Sequence, residues 1–459
     1  MDIAKWSMWM GGVAELGDPR RTQRLIRLLA GLATHPVGSL PGRLSKSDLK
    51  AAYRLCAQEA VTHDAIRRSI THGTLRLIDE TPGDILILHD TSELNFHTRQ
   101  TLRSDLGPIG NGRACGFLCH SSLAFTSMGH HLGLTNQILH QRVPVPARET
   151  YSAKRDRQTR ESLLWKRGTE GLPNDPRFID VCDRGADTFE FLEHEAHSQR
   201  RFVIRVSQNR CCFVGHEGTQ VSKVFDLLRQ QKPLGIRPLA MRKKEKRSAQ
   251  TVMLEVSAMA IQLRPPQNHR GQHGNQPLKV WCVRLWNAQH KLERFLYVKH
   301  PIETLEQAVQ VAEWYERRWL QEEWHKGLKT GCGVENLQFT SLSRLEPMIM
   351  ILSAVAGWLL QVRDAGRAED AATRPATEIV PQKVVQTLYI WRHPEEAPKP
   401  DWSIRDFTLA LGRLGGHQNR RSDGMPGWIT LWRGYERLAI MLDFRKALQR
   451  AERITKDVG

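Results

Sequence analysis

Apolar positions near the N-terminus repeat at helical spacing, and no strand-like alternation occurs before about residue 75. Asp18 precedes Pro19, which predicts an N-cap followed by proline at the first helical position. The apolar face of this helix comprises Leu25, Leu28, Leu29 and Leu32. Residues 49–57 and 62–69 predict two more short helices. Residues 1–75 are therefore predicted to form a helical domain.

Two short apolar runs further along the chain each end in an aspartate. Residues 85–89 are followed by Asp90, and residues 178–182 are followed by Asp183. The carboxyl end of a buried strand is a common place for catalytic groups in α/β sheets. Aspartate at a strand end also simply forms turns, so the position alone does not assign chemistry.

Five more segments have the composition of strands. They are residues 116–125 and 132–141, predicted as a hairpin, and residues 201–206, 251–261 and 280–286. A basic run at 242–247 and a Pro/Gly-rich segment at 264–277 separate the later strands and are predicted to be exposed loops.

Residues 315–329 contain no proline and many helix formers, which predicts a helix. At about 100° per residue, four polar side chains fall within an arc of about 60°. They are Tyr315, Arg318, Glu322 and Lys329. A carboxylate between cations suits metal and phosphate binding, although a solvated face of ion pairs has the same composition. Glu323 points about 100° away from Glu322, so the two acids are not interchangeable.

The charge balance favours a polyanionic partner. The chain of 459 residues carries 67 Lys and Arg against 49 Asp and Glu, a formal net charge of +18, which fits nucleic acid. No membrane partner is expected: the longest apolar run, residues 347–360, is short for a bilayer span and predicts a buried helix. Residues 363–382, which follow it, are predicted to form a linker. The N-terminus lacks the apolar region of a signal peptide, so a cytoplasmic location is expected.

The cysteines give no strong metal pattern. Eight are scattered through the chain, as in proteins with reduced thiols. Cys115, Cys119 and His120 are close together in sequence, but no second Cys/His pair follows at ligand spacing, so zinc is not the favoured interpretation.

The spacing of the helix residues, Y-x2-R-x3-E-x6-K, resembles the signature of bacterial insertion-sequence transposases of the IS-four family and the transposon-five type. The sequence segments HDTSELNF and VCDRGADTFEFL resemble the two aspartate motifs of that family. LGDPRRTQRL, SLPGR and LKAAYRL resemble its N-terminal DNA-binding domain, and LGRLGG, DGMPGW and LWRGYERL its C-terminal domain. The resemblance covers essentially the whole chain.

The resemblance implies an α/β ribonuclease H-like core, at residues 76–365, with a β-rich insertion at about 200–300. Residues 1–75 would bind transposon ends, and residues 366–459 would form a helical dimerisation domain. The implied catalytic and metal-binding triad is Asp90, Asp183 and Glu322, with two Mg²⁺ or Mn²⁺ ions, since clustered carboxylates require neutralising cations.

The implied partners are double-stranded DNA, both terminal inverted repeats and target, and a second copy of the chain. The implied DNA contacts are Tyr315, Arg318, Lys329, Arg20, Arg21, Arg24, Trp319 and Arg421. Phe295 and Trp319 are the candidates to stack on a flipped base. A C-terminal apolar stripe would form the dimer or pack on its own domain: Tyr435, Leu438, Met441, Leu442, Phe444 and Leu448.

The activity that the resemblance implies is metal-dependent cleavage at transposon ends through a hairpin, followed by strand transfer into target DNA. Two alternatives remain open from the sequence. One is a metal-dependent nuclease of the same fold without strand transfer, and the other is a non-catalytic DNA-binding copy.

Overall fold

The computed structural model describes residues 1–145, 148–150, 153, 156–214, 220–241, 250–267, 273–399, 401–420 and 423–458, with side chains through residue 452. Helices occupy the two ends of this described chain, and strands dominate the middle. A large mixed sheet with flanking helices makes the protein mixed α/β.

The N-terminal segment is helical, as predicted. Its helices are α1 (Ile3–Gly11), α2 (Pro19–Thr34), α3 (Leu40–Arg43), α4 (Lys46–Cys56) and α5 (His63–Asp79). Asp18 caps α2 by accepting a hydrogen bond from the backbone N–H of Arg20 at 2.8 Å. Helix α1 was not predicted from the sequence, although Asp2 caps it in the same way.

Strands run through the middle of the chain. Within the described residues they are β1 (Ile85–Asn95), β2 (Gly107–Ile109), β3 (Ala114–Thr126), β4 (His131–His140), β5 (Phe178–Cys182), β6 (Arg201–Arg205), β7 (Cys211–Val214), β8 (Gln220–Lys223), β9 (Gly235–Met241), β10 (Gln250–Leu263), β11 (Leu278–Asn287) and β12 (Leu292–Val298). They join one sheet in the order β2-β3-β1-β5-β6-β12-β11-β10-β7-β8, with β4 beside β3 and β9 beside β10.

The centre of the sheet combines both kinds of strand pairing. Strand β1 is antiparallel to β3, and β3 is antiparallel to β4. Strands β1, β5 and β6 are parallel neighbours. Parallel strands align their carboxyl ends at one edge of a sheet, so the residues that follow β1 and β5 are brought together.

The β-rich segment extends this sheet. Strand β12 pairs with β6, and β11 and β10 follow it as antiparallel neighbours. The sequence predicted β6, β10 and β11 here and missed β7, β8, β9 and β12. The predicted loop at 242–247 lies outside the described residues.

Strand β1 is longer than predicted. It continues past His89 to Asn95, because its antiparallel pairing with β3 persists to Asn95 after the parallel pairing with β5 ends at His89. Asp90 therefore lies within β1, opposite Ser121, rather than at the strand end. It is the first residue of β1 beyond the ladder shared with β5.

The remaining helices are α6 (Leu164–Gly168), α7 (Phe189–His197), α8 (Val224–Gln230), α9 (Leu305–Arg317), α10 (Trp319–Lys326), α11 (Leu342–Arg367), α12 (Gln382–Arg392), α13 (Ile404–Leu414) and α14 (Trp428–Val458). The helix predicted at 315–329 starts earlier, at Leu305, where Thr304 and Gln307 form a capping box. It breaks at Arg318 and ends in a π turn, Gly327–Gly331.

Helix α11 crosses the core. Its 26 residues make it long and apolar enough to span a membrane by length and composition, and 89% of its most apolar window is buried inside the fold. The sequence predicted the burial but placed residues 363–382 in a linker. Arg363 instead lies inside α11 and is 1% exposed, because it pairs with Asp364 and Glu323.

Candidate active site

The two strand aspartates meet at the carboxyl edge of the parallel strands. The parallel pairing of β1 with β5 ends at His89, which lies opposite Cys182. Asp90 and Asp183 are the next residues of the two segments, so they lie side by side just beyond the paired region. Asp183 caps a short 3₁₀ turn: its Oδ1 accepts a hydrogen bond from the N–H of Gly185 at 2.9 Å.

A close contact explains the glycine that follows Asp183. A Cβ built on Gly185 would lie 2.3 Å from the ring of Trp165, so the indole packs directly on this backbone. Any larger residue at 185 would displace either Trp165 or the turn. Trp165, on α6, thereby fixes the segment that holds Asp183.

Helix α10 brings Glu322 to the same edge. Gln321, which is fully buried, donates a hydrogen bond from Nε2 to the carbonyl of Ser121 at 2.6 Å. Ser121 lies opposite Asp90 across the β1–β3 pair. This hydrogen bond holds α10 beside the β1–β3 pair near Asp90. Glu322 is the residue that follows Gln321 on the helix.

Asp90 lies within electrostatic reach of both Asp183 and Glu322. Burial raises the pKa of Asp90 to about 6; Arg318 opposes that rise, while the charges of Asp183 and Glu322 add to it. Nη1 of Arg318 donates to Oδ2 of Asp90 at 2.7 Å, and its guanidinium also interacts with Asp183 and Glu322. Like charges in one site repel each other unless cations offset them.

The donor set suits a hard divalent cation by type and charge, since Mg²⁺ and Mn²⁺ prefer carboxylate oxygens. Across the described residues, however, no group of three or more His, Cys, Asp or Glu side chains is arranged to hold a metal ion. Asp90, Asp183 and Glu322 are neighbours, but their carboxylates are not arranged as the ligands of a metal ion. This holds equally for Cys115, Cys119 and His120, where His120 shares a hydrogen bond with Thr91.

The other residues predicted on the signature helix differ in exposure. Tyr315 is 6% exposed and its ring belongs to the core, whereas Trp319 is 51% exposed, with Lys326 above its ring. Lys329 lies in the π turn, where its charge acts on His325. Phe295 is buried and stacks on a neighbouring phenylalanine at 4.2 Å. Trp319 is therefore the accessible candidate for base stacking.

The predicted N-terminal cations also differ. The Arg20 side chain is 91% exposed and pairs with Asp18, while Arg24 lies 3.8 Å from Asp48 at a half-exposed position. Nη1 of Arg21 donates to the carbonyl of Leu16 at 2.9 Å, which gives Arg21 a structural contact. Arg421 lies outside the described residues.

Glu323, the neighbour of Glu322, has a separate role. Its carboxylate pairs with the buried Arg363 of α11, whose other nitrogens contact Asp364. Asp364 in turn accepts a hydrogen bond from the N–H of His131 on β4 at 2.8 Å. Glu323 thus anchors α10 to the core helix.

A buried polar network beneath the acids was missed from the sequence. Asp180 of β5 accepts from Nε2 of His89 and from Nε of Arg200, each at 2.7 Å. Nδ1 of His89 lies 2.9 Å from Oγ of Ser122, and Nη2 of Arg200 donates to Glu195 at 2.9 Å. The network links β3, β1 and β5 directly below Asp90 and Asp183.

One sequence signal could have found this network. Asp180 sits inside the apolar strand Phe178–Cys182, and a charge on a fully buried strand requires buried partners. Asp180 is fully buried and has a structural role, whereas Asp183 is partly exposed at the strand end.

This geometry defines a mixed α/β protein with a carboxylate cluster at a sheet edge and an arginine among the acids. Residues 4–61 match the family model described as transposase DNA-binding. The match spans α1 to α4 and supports a transposase with DNA as its partner.

Proposed function

We propose that this protein is a cut-and-paste DNA transposase with a ribonuclease H-like core and an Asp90–Asp183–Glu322 triad, of the IS-four type. The observation that carries the proposal is that the charges of Asp183 and Glu322 act on Asp90 in a chain whose N-terminus matches a transposase DNA-binding model. The sheet order β4-β3-β1-β5-β6, with β3 antiparallel, is consistent with such a core. The proposed site of action is DNA in the bacterial cytoplasm.

In this proposal the three carboxylates would hold two Mg²⁺ or Mn²⁺ ions. When bound, such ions lower the pKa of a nucleophile and neutralise developing charge in phosphoryl transfer. The chain's own side chains place the DNA, with Arg318 and Lys329 holding phosphates near the scissile bond. Tyr315, whose ring lies in the core, is proposed to contact the DNA backbone through its hydroxyl alone. Trp319 offers an exposed ring on which an unpaired base can stack.

The same displacement, with different nucleophiles, accounts for the proposed sequence of reactions. Water attacks first and nicks the transposon end; the freed 3′-hydroxyl then attacks the opposite strand and forms a hairpin. Water opens the hairpin, and the 3′-hydroxyl finally attacks target DNA. A nuclease without strand transfer would stop after cleavage, and a non-catalytic copy would only bind.

A plasmid excision assay tests this function. A marker flanked by the inverted repeats of the protein's own element should be excised and reinserted when the wild-type protein is expressed, and should stay in place with Glu322→Gln. Excision without reinsertion would favour the nuclease. Folded wild-type protein that binds the repeats without excision would overturn the proposal in favour of the binding protein.

Exposed cations on α2 should contribute to binding of the transposon end. Replacing Arg20 or Arg24 with Gln should weaken end binding and make the slope of log K against log salt shallower by about 0.9 for each lost phosphate contact. Gel-shift titration at several salt concentrations measures this slope.

Two variants serve as comparisons for those titrations. Arg21→Gln should change the slope less, because one arm of Arg21 already contacts the Leu16 carbonyl. Arg103→Gln removes the same charge from an exposed position outside the N-terminal helices. Slopes for Arg20→Gln and Arg24→Gln equal to that of Arg103→Gln would contradict the assignment.

The C-terminal helix supports a homodimer. The predicted stripe divides in two: Tyr435, Leu438 and Leu442 are buried, whereas Phe444 is 65% and Leu448 47% exposed. Ile440 is 71% exposed and, at spacings of four residues, forms one C-terminal ridge with Phe444 and Leu448. A chain with one triad must act with a second copy to process two transposon ends together, and the C-terminal ridge is the proposed contact.

Charging the C-terminal ridge should prevent pairing. Ile440→Glu combined with Phe444→Glu should leave single-end binding intact and remove the paired-end complex, since desolvating two carboxylates opposes the contact. Native gels and sedimentation with end DNA measure both species. Ile390→Glu, at another exposed isoleucine of this region, is the matched control. Paired complexes formed by the double variant would rule out the C-terminal ridge.

A further inference from the structure

Arg43 connects the N-terminal helices to the turn that carries Lys329. It is the last residue of α3 and is 6% exposed. Its Nη2 donates to the carbonyl of Cys332 at 2.7 Å and lies 3.5 Å from the carbonyl of Gly331. These carbonyls lie at the C-terminal end of the π turn Gly327–Gly331, so Arg43 holds the end of that turn.

Helix α14 holds the same turn from another side. A Cβ on Gly331 would lie 2.9 Å from the ring of Trp428, and one on Gly327 would lie 3.1 Å from it. The indole therefore packs against turn backbone that only glycine leaves accessible. Arg43 of α3 and Trp428 of α14, from opposite ends of the chain, therefore both hold the short turn that contains Lys329.

The turn itself has an unusual geometry. The N–H of Cys332 donates to the carbonyl of Gly327 at 2.7 Å, a bond that spans five residues. Single π turns inside helices are frequently found at functional sites. This turn contains Lys329, seven positions after Glu322.

Stability alone does not account for an arginine at position 43. Burial lowers the pKa of its guanidinium, and among the described residues Nε and Nη1 have no hydrogen-bond partner. A buried cation with unmet donors costs more than an apolar side chain of similar length. What the guanidinium provides is a directed hydrogen bond to the turn.

We propose that Arg43 is a positioning residue for Lys329, through which the end-binding helices set the geometry of the active site. This inference rests on the proposed function. An end-binding segment that also fixes a phosphate-holding turn links the two activities in one chain. Arg43 is buried and acts through the Cys332 carbonyl.

A double-mutant cycle of Arg43→Met and Lys329→Met tests it, with single-turnover cleavage at saturating end DNA. Arg43→Met should slow cleavage about 10- to 100-fold, as expected when a phosphate-holding group is misplaced by about 1 Å, with end affinity and melting temperature close to wild type. In the Lys329→Met background, Arg43→Met should slow cleavage less than about twofold, because coupled residues are not additive. Arg103→Met controls for loss of charge.

Three results would overturn the proposal. They are wild-type cleavage by Arg43→Met, an equal loss in both backgrounds, and, in folded protein, a loss of rate that follows a loss of end affinity. Should Arg43→Met not fold, Arg43→Gln is measured in both backgrounds. Because Gln can still donate to the Cys332 carbonyl, this variant should cleave at close to the wild-type rate, and a loss that is equal in both backgrounds would overturn the proposal. Absence of cleavage by the wild-type protein would instead refute the proposed function.

Discussion

Asp90→Asn, Asp183→Asn and Glu322→Gln should each slow cleavage of transposon-end DNA by about a thousandfold or more while leaving DNA binding within a small factor of wild type. Each substitution removes the charge of one proposed metal ligand and keeps the size of the side chain. Metal ions supply several kcal/mol in phosphoryl transfer, and about 1.4 kcal/mol corresponds to tenfold in rate. Single-turnover cleavage of labelled end DNA measures the loss.

Matched acids lie close by for comparison. Glu313→Gln changes an exposed acid on α9, one helix before Glu322, and Glu93→Gln changes an acid three residues after Asp90 on β1. Both should cleave at close to the wild-type rate. Glu323→Gln is a poor control because it disturbs the Arg363 pair. Normal cleavage by any triad variant would remove that acid from the site.

Asp180→Ala should lower the free energy of unfolding by about 3–5 kcal/mol, because it leaves His89 and part of Arg200 as buried polar groups without their partner. Asp180 itself is fully buried, so water cannot replace the lost carboxylate. Urea denaturation followed by tryptophan fluorescence measures the change.

An exposed ion pair provides the contrast. Asp64→Ala removes the partner of Arg67 on α5, where the aspartate side chain is 53% exposed. That loss should be below about 1 kcal/mol, as is usual for surface pairs. Equal losses for Asp180→Ala and Asp64→Ala would show that the network beneath the acids contributes little.

Local patterns predicted much of what positions the site. Asp18 with Pro19 located the start of α2, and the apolar run before Asp183 located β5 with its bounds. The spacing of residues 315–329 predicted that Arg318 and Glu322 lie on one face of a helix. In the structure the charge of each of them affects the pKa of Asp90. These features depend on residues near each other in sequence.

The missed features depend on distant partners. Strand β1 extends beyond Asp90 because β3 continues to pair with it. No pattern within residues 85–95 indicates that β3 is the partner. Arg363 looked like part of a linker because its partner Glu323 is 40 residues away. Arg43 meets the Cys332 carbonyl across 289 residues, a contact that no spacing rule indicates.

The most direct measurement of the central claim is nucleotide-resolution mapping of the products formed by the purified protein on DNA that carries its inverted repeats, with and without Mg²⁺. The account predicts Mg²⁺-dependent breaks at the repeat termini, a hairpin intermediate on the transposon end, and loss of all products with Asp183→Asn. Wild-type protein that binds the repeats but leaves them intact in Mg²⁺ and Mn²⁺ would contradict it.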